Sequence, residues 1–264
     1  MSRDFFLPEA LEAASVVMSA GDLPFPDMPA PPYQDTESGH WQFRRIMLPC
    51  CPGYFTGPQL IDWTVPILSR DGVSWMSITP LESESQMPAL TAAHGTVVVC
   101  GFGLGMIAYA LSALKAVKRV IVVERDEEVL RMGRLYTRFA DWPQRDKVEL
   151  VQHDALTFTY QGADFLYADI WPYYRMDCMV PDMQAMQANI PTSTSYYWGQ
   201  EIDMVDFAAA QGVHDEDFSQ QHIANFCRQH GLPLIGADIP DYPRLCVQAA
   251  RNPAIGRKRR PIVA

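Results

Sequence analysis

Thr96-Val97-Val98-Val99-Cys100-Gly101-Phe102-Gly103-Leu104-Gly105-Met106 decides the fold of this chain. Four β-forming residues lead into three alternating glycines, and Leu104 to Val117 then reads as an apolar helix without a proline. Strand, glycine turn and helix in that order make the first half of a nucleotide-binding βαβ unit. The glycines let the backbone turn sharply and let a ligand lie against the main chain with no Cβ in the way. A second strand follows as Arg119 to Val123 and ends on Glu124. A carboxylate about 20 residues beyond such a loop is where these folds hold the hydroxyls of a ribose.

The spacing narrows the ligand. A dinucleotide fingerprint reads G-x-G-x-x-G, its last glycine letting helix and strand pack closely. Here the pattern is G-x-G-x-G, and Met106 stands where that glycine would be. The loop has no basic residue, which argues against a phosphate clamp. Downstream, Lys147 to Gln152 runs into His153-Asp154-Ala155, and Asp164 to Ala168 runs into Asp169-Ile170-Trp171-Pro172. Each stretch puts an acid at the carboxyl end of an expected parallel strand, where open α/β sheets bind ligands. Asp154 suits an adenine amino group, and Asp169 suits an amine or the reacting centre.

This series resembles the class I S-adenosylmethionine-dependent methyltransferases. The resemblance implies a Rossmann-like α/β sheet flanked by helices and S-adenosyl-L-methionine as cofactor. It puts Gly101, Phe102, Gly103 and Gly105 under the methionine and ribose moieties, Glu124 on the ribose, and Asp154 with Ala155 at the adenine. Arg125 would lie against the adenine face, with Asp126 capping the next helix. Val99 departs from the family, many members of which carry an acid two residues before the first glycine.

Upstream, Ile67-Leu68-Ser69-Arg70-Asp71-Gly72-Val73-Ser74-Trp75-Met76-Ser77-Ile78-Thr79-Pro80-Leu81-Glu82 resembles the approach to the Rossmann domain in polyamine synthases. The likeness spans residues 60 to 170 and makes Trp75 a further cofactor contact. It breaks where that family keeps a glutamine, around Trp75 to Ser77, and again in the D-x-x-D pair after strand four. The second acid of that pair receives the proton of the attacking amine, and here its place is held by Pro172. Proline takes no proton. The resemblance therefore implies a spermidine-synthase-like methyltransferase, with aminopropyl transfer from decarboxylated cofactor and a non-catalytic scaffold as alternatives.

At 264 residues and 48% hydrophobic content, the chain can fill one large core with an appendage. A net charge of −10 argues against an extended nucleic-acid groove. Arg257-Lys258-Arg259-Arg260 is the exception and reads as a solvated basic tail. The six cysteines show no metal-binding spacing, and reduced thiols in a cytoplasmic setting are their simplest account. No signal peptide or membrane span is expected. The expected partner is a small-molecule acceptor, with a homodimer left open.

Residues 1–40 read as a helix near Ala13 to Ala20 followed by an extended proline-rich arm, and 41–79 as a small antiparallel sheet. Residues 80–254 make the Rossmann-like domain and 255–264 the tail. Within the domain, helices are expected near Val180 to Ala188, Asp203 to Ala210 and Asp215 to His230, with a strand near Ser193 to Trp198. Leu234 to Ile239 and Leu245 to Ala249 are read as closing antiparallel strands.

For the acceptor, Trp171, Tyr173 and Tyr174 follow strand four, and Tyr196, Tyr197 and Trp198 end the next strand. Aromatics are commonly plain core. Two clusters flanking the substrate entrance also make a stacking or cation–π wall. Trp171, Tyr173, Trp198 and Glu201 are the candidate acceptor contacts. Asp169 is the candidate catalytic base, and Glu201 stands second to it. His153 and His214 are isolated and read as structural or surface residues, and no serine has a nucleophile-elbow context.

Overall fold

A computed structural model describes residues 23–26 and 28–255. The helix expected near Ala13 to Ala20 and the basic cluster from Arg257 lie outside the described residues. A small antiparallel sheet comes first, from β1 (Thr36–Ser38), β2 (Trp41–Met47), β5 (Thr64–Arg70) and β6 (Val73–Ser77), in the order β1-β2-β5-β6. Between β2 and β5 lies a separate pair, β3 (Cys50–Cys51) and β4 (Gln59–Leu60). Helix α1 (Pro80–Ala92) then leads to β7 (Gly95–Cys100), α2 (Met106–Ala113), β8 (Val117–Glu124) and α3 (Glu127–Tyr136). After these come β9 (Val148–Gln152), β10 (Phe165–Ala168), α4 (Met179–Asn189), β11 (Thr194–Tyr197), α5 (Gln200–Ala209), α6 (Gln220–His230) and α7 (Tyr242–Arg251).

The second sheet has the order β11-β10-β7-β8-β9, with every pairing parallel. Alternation along its strands gives this sheet two packed faces. Val97, Val99, Val120, Val122, Phe165, Tyr167 and Tyr196 face α1, α2 and α3. Val98, Cys100, Ile121, Val123, Leu166, Ala168 and Tyr197 face α4 to α7. This is a Rossmann-like sheet with helices on both sides. No helix among the described residues is long and apolar enough to cross a membrane.

The antiparallel sheet docks on the first of these faces. Phe43 stacks on Tyr136 of α3 at 4.7 Å between ring centroids, and Tyr33 stacks on Phe43 at 5.2 Å. The Tyr33 hydroxyl donates to the Leu104 carbonyl at 2.8 Å. Part of the stretch read as an extended arm is therefore packed structure, since Thr36–Ser38 pairs with β2 and Leu23 is buried.

Three other expectations need correction. Leu245 to Ala249 lies inside α7, where Leu245, Cys246, Ala249 and Ala250 form one buried helical face. Leu234 makes only an isolated parallel bridge to Ser195, so no antiparallel strands close the sheet among the described residues. The stretch from Asp215 begins as a 3-10 turn, and α6 starts only at Gln220, after a capping box between Ser219 and His222. Helix α2 is also shorter than its apolar run, because Leu114 is extended and Val117 opens β8.

Two buried carboxylates fasten the parts together. Glu84 of α1 accepts from the amides of Tyr54, Phe55 and Thr56 at 2.7, 2.8 and 3.1 Å. It also accepts from the Thr56 hydroxyl and the Gln59 amide, both at 2.6 Å. Glu201, expected to meet the acceptor, instead has no exposed surface. It accepts from the hydroxyls of Tyr242 at 2.5 Å, Tyr54 at 3.0 Å and Tyr196 at 3.1 Å. The geometry removes Glu201 from both acceptor binding and base catalysis: its lone pairs are spent on tyrosines from three parts of the chain. Burial pushes its carboxyl from the ordinary 4.5 up to about 7, against the pull of those hydroxyls.

Glu84→Ala strands several buried donors and is expected to cost roughly 2–4 kcal/mol, read as a lower urea midpoint. For Glu201 the sign follows from a folded pKa above the unfolded one. Its contribution is fully present below 4.5 and is lost as pH rises through about 7. Stability measured at about pH 5 and pH 8 should therefore fall by roughly 2.5 kcal/mol more in the parent protein than in Glu201→Gln. Asp169 titrates in the same window in both proteins, so the difference isolates Glu201. Equal losses would remove the buried proton from Glu201.

Candidate functional site

The parallel strands all end on one edge, and hydrogen bonds just beyond them hold the loops in register. The Gly101 amide donates to the Val123 carbonyl at 2.8 Å, Asp169 to Cys100 at 2.9 Å, Trp198 to Ala168 at 2.9 Å and His153 to Glu124 at 3.0 Å. Gly101 has φ +98°, and a Cβ there would lie 2.1 Å from the Asp169 carbonyl oxygen. A side chain at 101 would thus push β7 and β10 apart. Glu124 closes the turn from the other side. Its Oε2 accepts from the Phe102 amide at 3.0 Å and its Oε1 from the Asp126 amide at 2.9 Å. Asp126 then caps α3 by accepting from the amides of Glu128 and Val129.

These loops form one wall of a cleft of about 180 Å³. Gly101, Gly103, Glu124, Arg125, Asp154, Ala155, Asp169 and Trp171 line it from the parallel sheet. Trp41, Arg70, Trp75 and Met76 line it from the antiparallel sheet. Trp75 is 47% exposed and meets Trp41 edge to face at 5.9 Å, so the small sheet roofs the cleft with indoles. Asp154 is exposed and spends Oδ1 on the Leu156 amide at 2.9 Å, leaving its other oxygen available. A carboxylate has about four lone-pair directions, so Glu124 likewise keeps acceptor capacity beyond its two amides.

A second cavity of about 270 Å³ adjoins the cleft and shares Trp75, Met76, Asp169 and Trp171 with it. Tyr173, Tyr174 and Trp198 continue its aromatic wall, and Glu82 of α1 supplies a second acid. Tyr174 and Trp198 stack with centroids 3.8 Å apart. The Trp198 indole donates to the Ser85 hydroxyl at 2.9 Å, and the Trp171 indole donates to Asp182 at 2.9 Å. Both tryptophans are mostly buried, pinned through their N–H groups, and present a remaining face to the cavity. Tyr173 is 53% exposed at its rim.

Asp169 and Glu82 meet at the junction of the two spaces. Burial pushes Asp169 from the ordinary 3.8 up to about 7, and the Tyr167 hydroxyl draws it back. Glu82 is pushed well above the carboxylate range by burial and then by the charge of Asp169, while Gln86 donates to it at 2.5 Å and opposes the shift. Two carboxyls that resist ionising together make a site that welcomes a cation or accepts a proton.

Of the residues picked from sequence, Trp75, Gly101, Gly103, Glu124, Arg125, Asp154, Ala155, Asp169 and Trp171 come together around the cleft, and Tyr173 and Trp198 join at the second cavity. Two others do not reach the cleft with a side chain or a surface. The Phe102 ring is buried against Gly105 and Gly133, and its amide already serves Glu124. Gly105 (φ +69°) is the residue before α2 and packs against Phe102 and Thr137. Sequence reading missed Trp41, Arg70, Met76, Glu82 and Gln86. Glu82 and Gln86 sit in the acidic opening of α1, a signal that was visible; the strand residues carry no such mark.

No protein-family model matches the sequence, and no curated protein matches it. Among solved structures, the chain is similar to a spermidine synthase in complex with the transition-state analogue AdoDATO, at 13% identity and a TM-score of 0.38 over 62% of this chain and 54% of that one. It is similar to a spermidine synthase from Thermotoga maritima at 14% identity and TM-score 0.37, over 60% of this chain and 53% of that one. A dimethyladenosine transferase from Plasmodium falciparum follows at 18% identity and TM-score 0.33, over 43% and 38%. The chain thus spans about half the length of the two synthases, at 54% and 53%. Its fold class, a Rossmann-like α/β sheet behind a small antiparallel sheet, stands on the strand order and the glycine turn.

Proposed function

We propose that the protein is an S-adenosylmethionine-dependent methyltransferase acting on an amine-bearing small molecule. One observation carries this reading: the acidic strand ends converge on a cleft that shares Asp169 and Trp171 with an aromatic, acid-lined cavity. Glu124 suits the ribose hydroxyls, Asp154 and Ala155 the adenine, and Arg125 an adenine face. The cofactor, when bound, supplies a methyl group already activated on a sulphonium. The protein's own work is then alignment and exclusion of water. Trp171 and Trp198 serve both, being rigid faces held by their indole N–H bonds. Aromatic faces with nearby carboxylates favour a cationic or amine-bearing acceptor over an anion. Asp169, its carboxyl raised to about 7, is suited to take the proton of an amine that arrives protonated.

Aminopropyl transfer stays as the second reading because of Glu82. Pro172 removes one acid from the loop after β10, but Glu82 reaches the same cavity from α1. The non-catalytic reading makes the opposite claim, that no adenosine ligand binds. Six free cysteines fit a reducing, cytoplasmic setting.

Calorimetry with S-adenosylmethionine, S-adenosylhomocysteine and NAD tests the cofactor. Binding of the first two without the third is expected, and binding of NAD alone would overturn the assignment. Glu124→Gln should weaken binding by roughly 1.5–3 kcal/mol, with the fold checked by circular dichroism. Unchanged affinity there would take Glu124 off the ribose. Trp171→Ala should impair turnover of an amine acceptor while leaving cofactor affinity within about threefold, since its face serves the acceptor side.

A further inference from the structure

The cleft continues past Gly103 into a much smaller space, and a methionine stands in the way. Gly101, Gly103, Leu104 and Met106 line this inner space from the glycine loop, and Glu82 and Gln86 line it from α1. Its free volume is about 10 Å³, which is close to the minimum for a single water. Met76 of β6 fills the approach. Its Sδ accepts from the Leu104 amide at 3.3 Å, and a Cβ on Gly103 would lie 2.6 Å from the same sulphur. A protein thioether thus occupies the main-chain surface of the glycine turn.

Behind the thioether lies an incomplete polar site. Gln86 is 2% exposed, and its Nε2 donates to Glu82, but its Oε1 is buried without a partner. Glu82 and Asp169 line the same space. Acceptors without a matching donor call for an N–H-rich group, and an ammonium supplies several. No Lys or Arg lines the space, so of an amino-acid tail it suits the ammonium, with the tail's carboxylate left outside toward the cleft.

We propose that Met76 is a gate over an ammonium-binding subsite formed by Glu82, Gln86 and Asp169, so that the cleft takes an adenosine moiety freely and an amino-acid tail only when Met76 swings aside. The proposal rests on the adenosine-cofactor reading above. Movement is inexpensive for this residue. Methionine has three rotatable side-chain bonds, and β6 is an edge strand whose pairing with β5 is irregular at Leu68 and Ser69. A closed gate lowers the apparent affinity of tailed ligands by the fraction of open molecules and leaves untailed ones alone.

Two probes separate these cases. 5′-Methylthioadenosine and S-adenosylhomocysteine share nucleoside and thioether, and only the second carries the amino-acid tail. In calorimetry Met76→Ala is expected to tighten S-adenosylhomocysteine about tenfold while 5′-methylthioadenosine stays within about threefold. Met76→Leu, which keeps the volume, should bind both as the parent does. Met76→Val, suited to a strand, gives the same reading as alanine should alanine unsettle β6. Adding Gln86→Leu to Met76→Ala should take most of the gain away. If 5′-methylthioadenosine binds but neither shortened variant tightens S-adenosylhomocysteine, the gate is overturned and the cofactor reading stands. If the gain survives Gln86→Leu, the ammonium subsite is overturned. If neither probe binds any variant, the adenosine reading itself fails and the gate with it.

Discussion

One carboxylate, Glu124, holds together the two turns on which the site is built. Each of its oxygens takes an amide, one from the glycine turn after β7 and one from the residue that caps α3. Both donors sit at places where the chain leaves a strand and has no ladder partner, and leaving either unmade there is costly. Because the same side chain also faces the cleft, structure and recognition draw on one carboxylate, the two amides taking part of its acceptor capacity and leaving the rest. The turn, the start of α2 and the cap of α3 therefore stand or fall with the group that would meet a ligand.

The second constraint is the approach of the small sheet. Its Trp41, Trp75 and Met76 turn an open strand edge into a roofed cleft, and its loop at residues 53–56 is held by Glu84. Water exclusion thus comes from a sheet outside the Rossmann layer rather than from the loops of the layer itself. That arrangement buries Glu82 and partly shields Asp169 beside a space large enough for a guest. Their resistance to ionising together expresses the same enclosure.

Most of this was legible where residues repeat with a clear period. The valines of β7 and β8 alternate between two cores, and the glycines and terminal acids mark strand ends, so the parallel sheet and the cleft wall could be read directly. Glu201 misled because an acid at a helix start ordinarily faces solvent, and only the fold brings Tyr54 and Tyr242 from distant positions to join Tyr196 around it. Leu245 to Ala249 misled because a short apolar run suits a strand or a buried helix equally well. Met76 was silent for a different reason: a methionine in a strand carries no sign of what it touches, and its contact with Gly103 and Leu104 exists only once two sheets have docked.

The loop at residues 53–56 has one more anchor. Asn252, just past α7, donates its amide to the carbonyls of Gly53 at 2.6 Å and Tyr54 at 3.2 Å, across 199 residues of chain in the first case. The early loop therefore lacks these partners until nearly all the described chain has been synthesised. Closing so long a loop carries an entropic cost that local contacts do not. During synthesis the first sheet emerges well before Asn252, and its loop must wait with polar groups on water or on a chaperone. Final docking is then among the last steps of folding, and a nascent chain stalled before Asn252 would display an unfastened loop to the quality-control machinery.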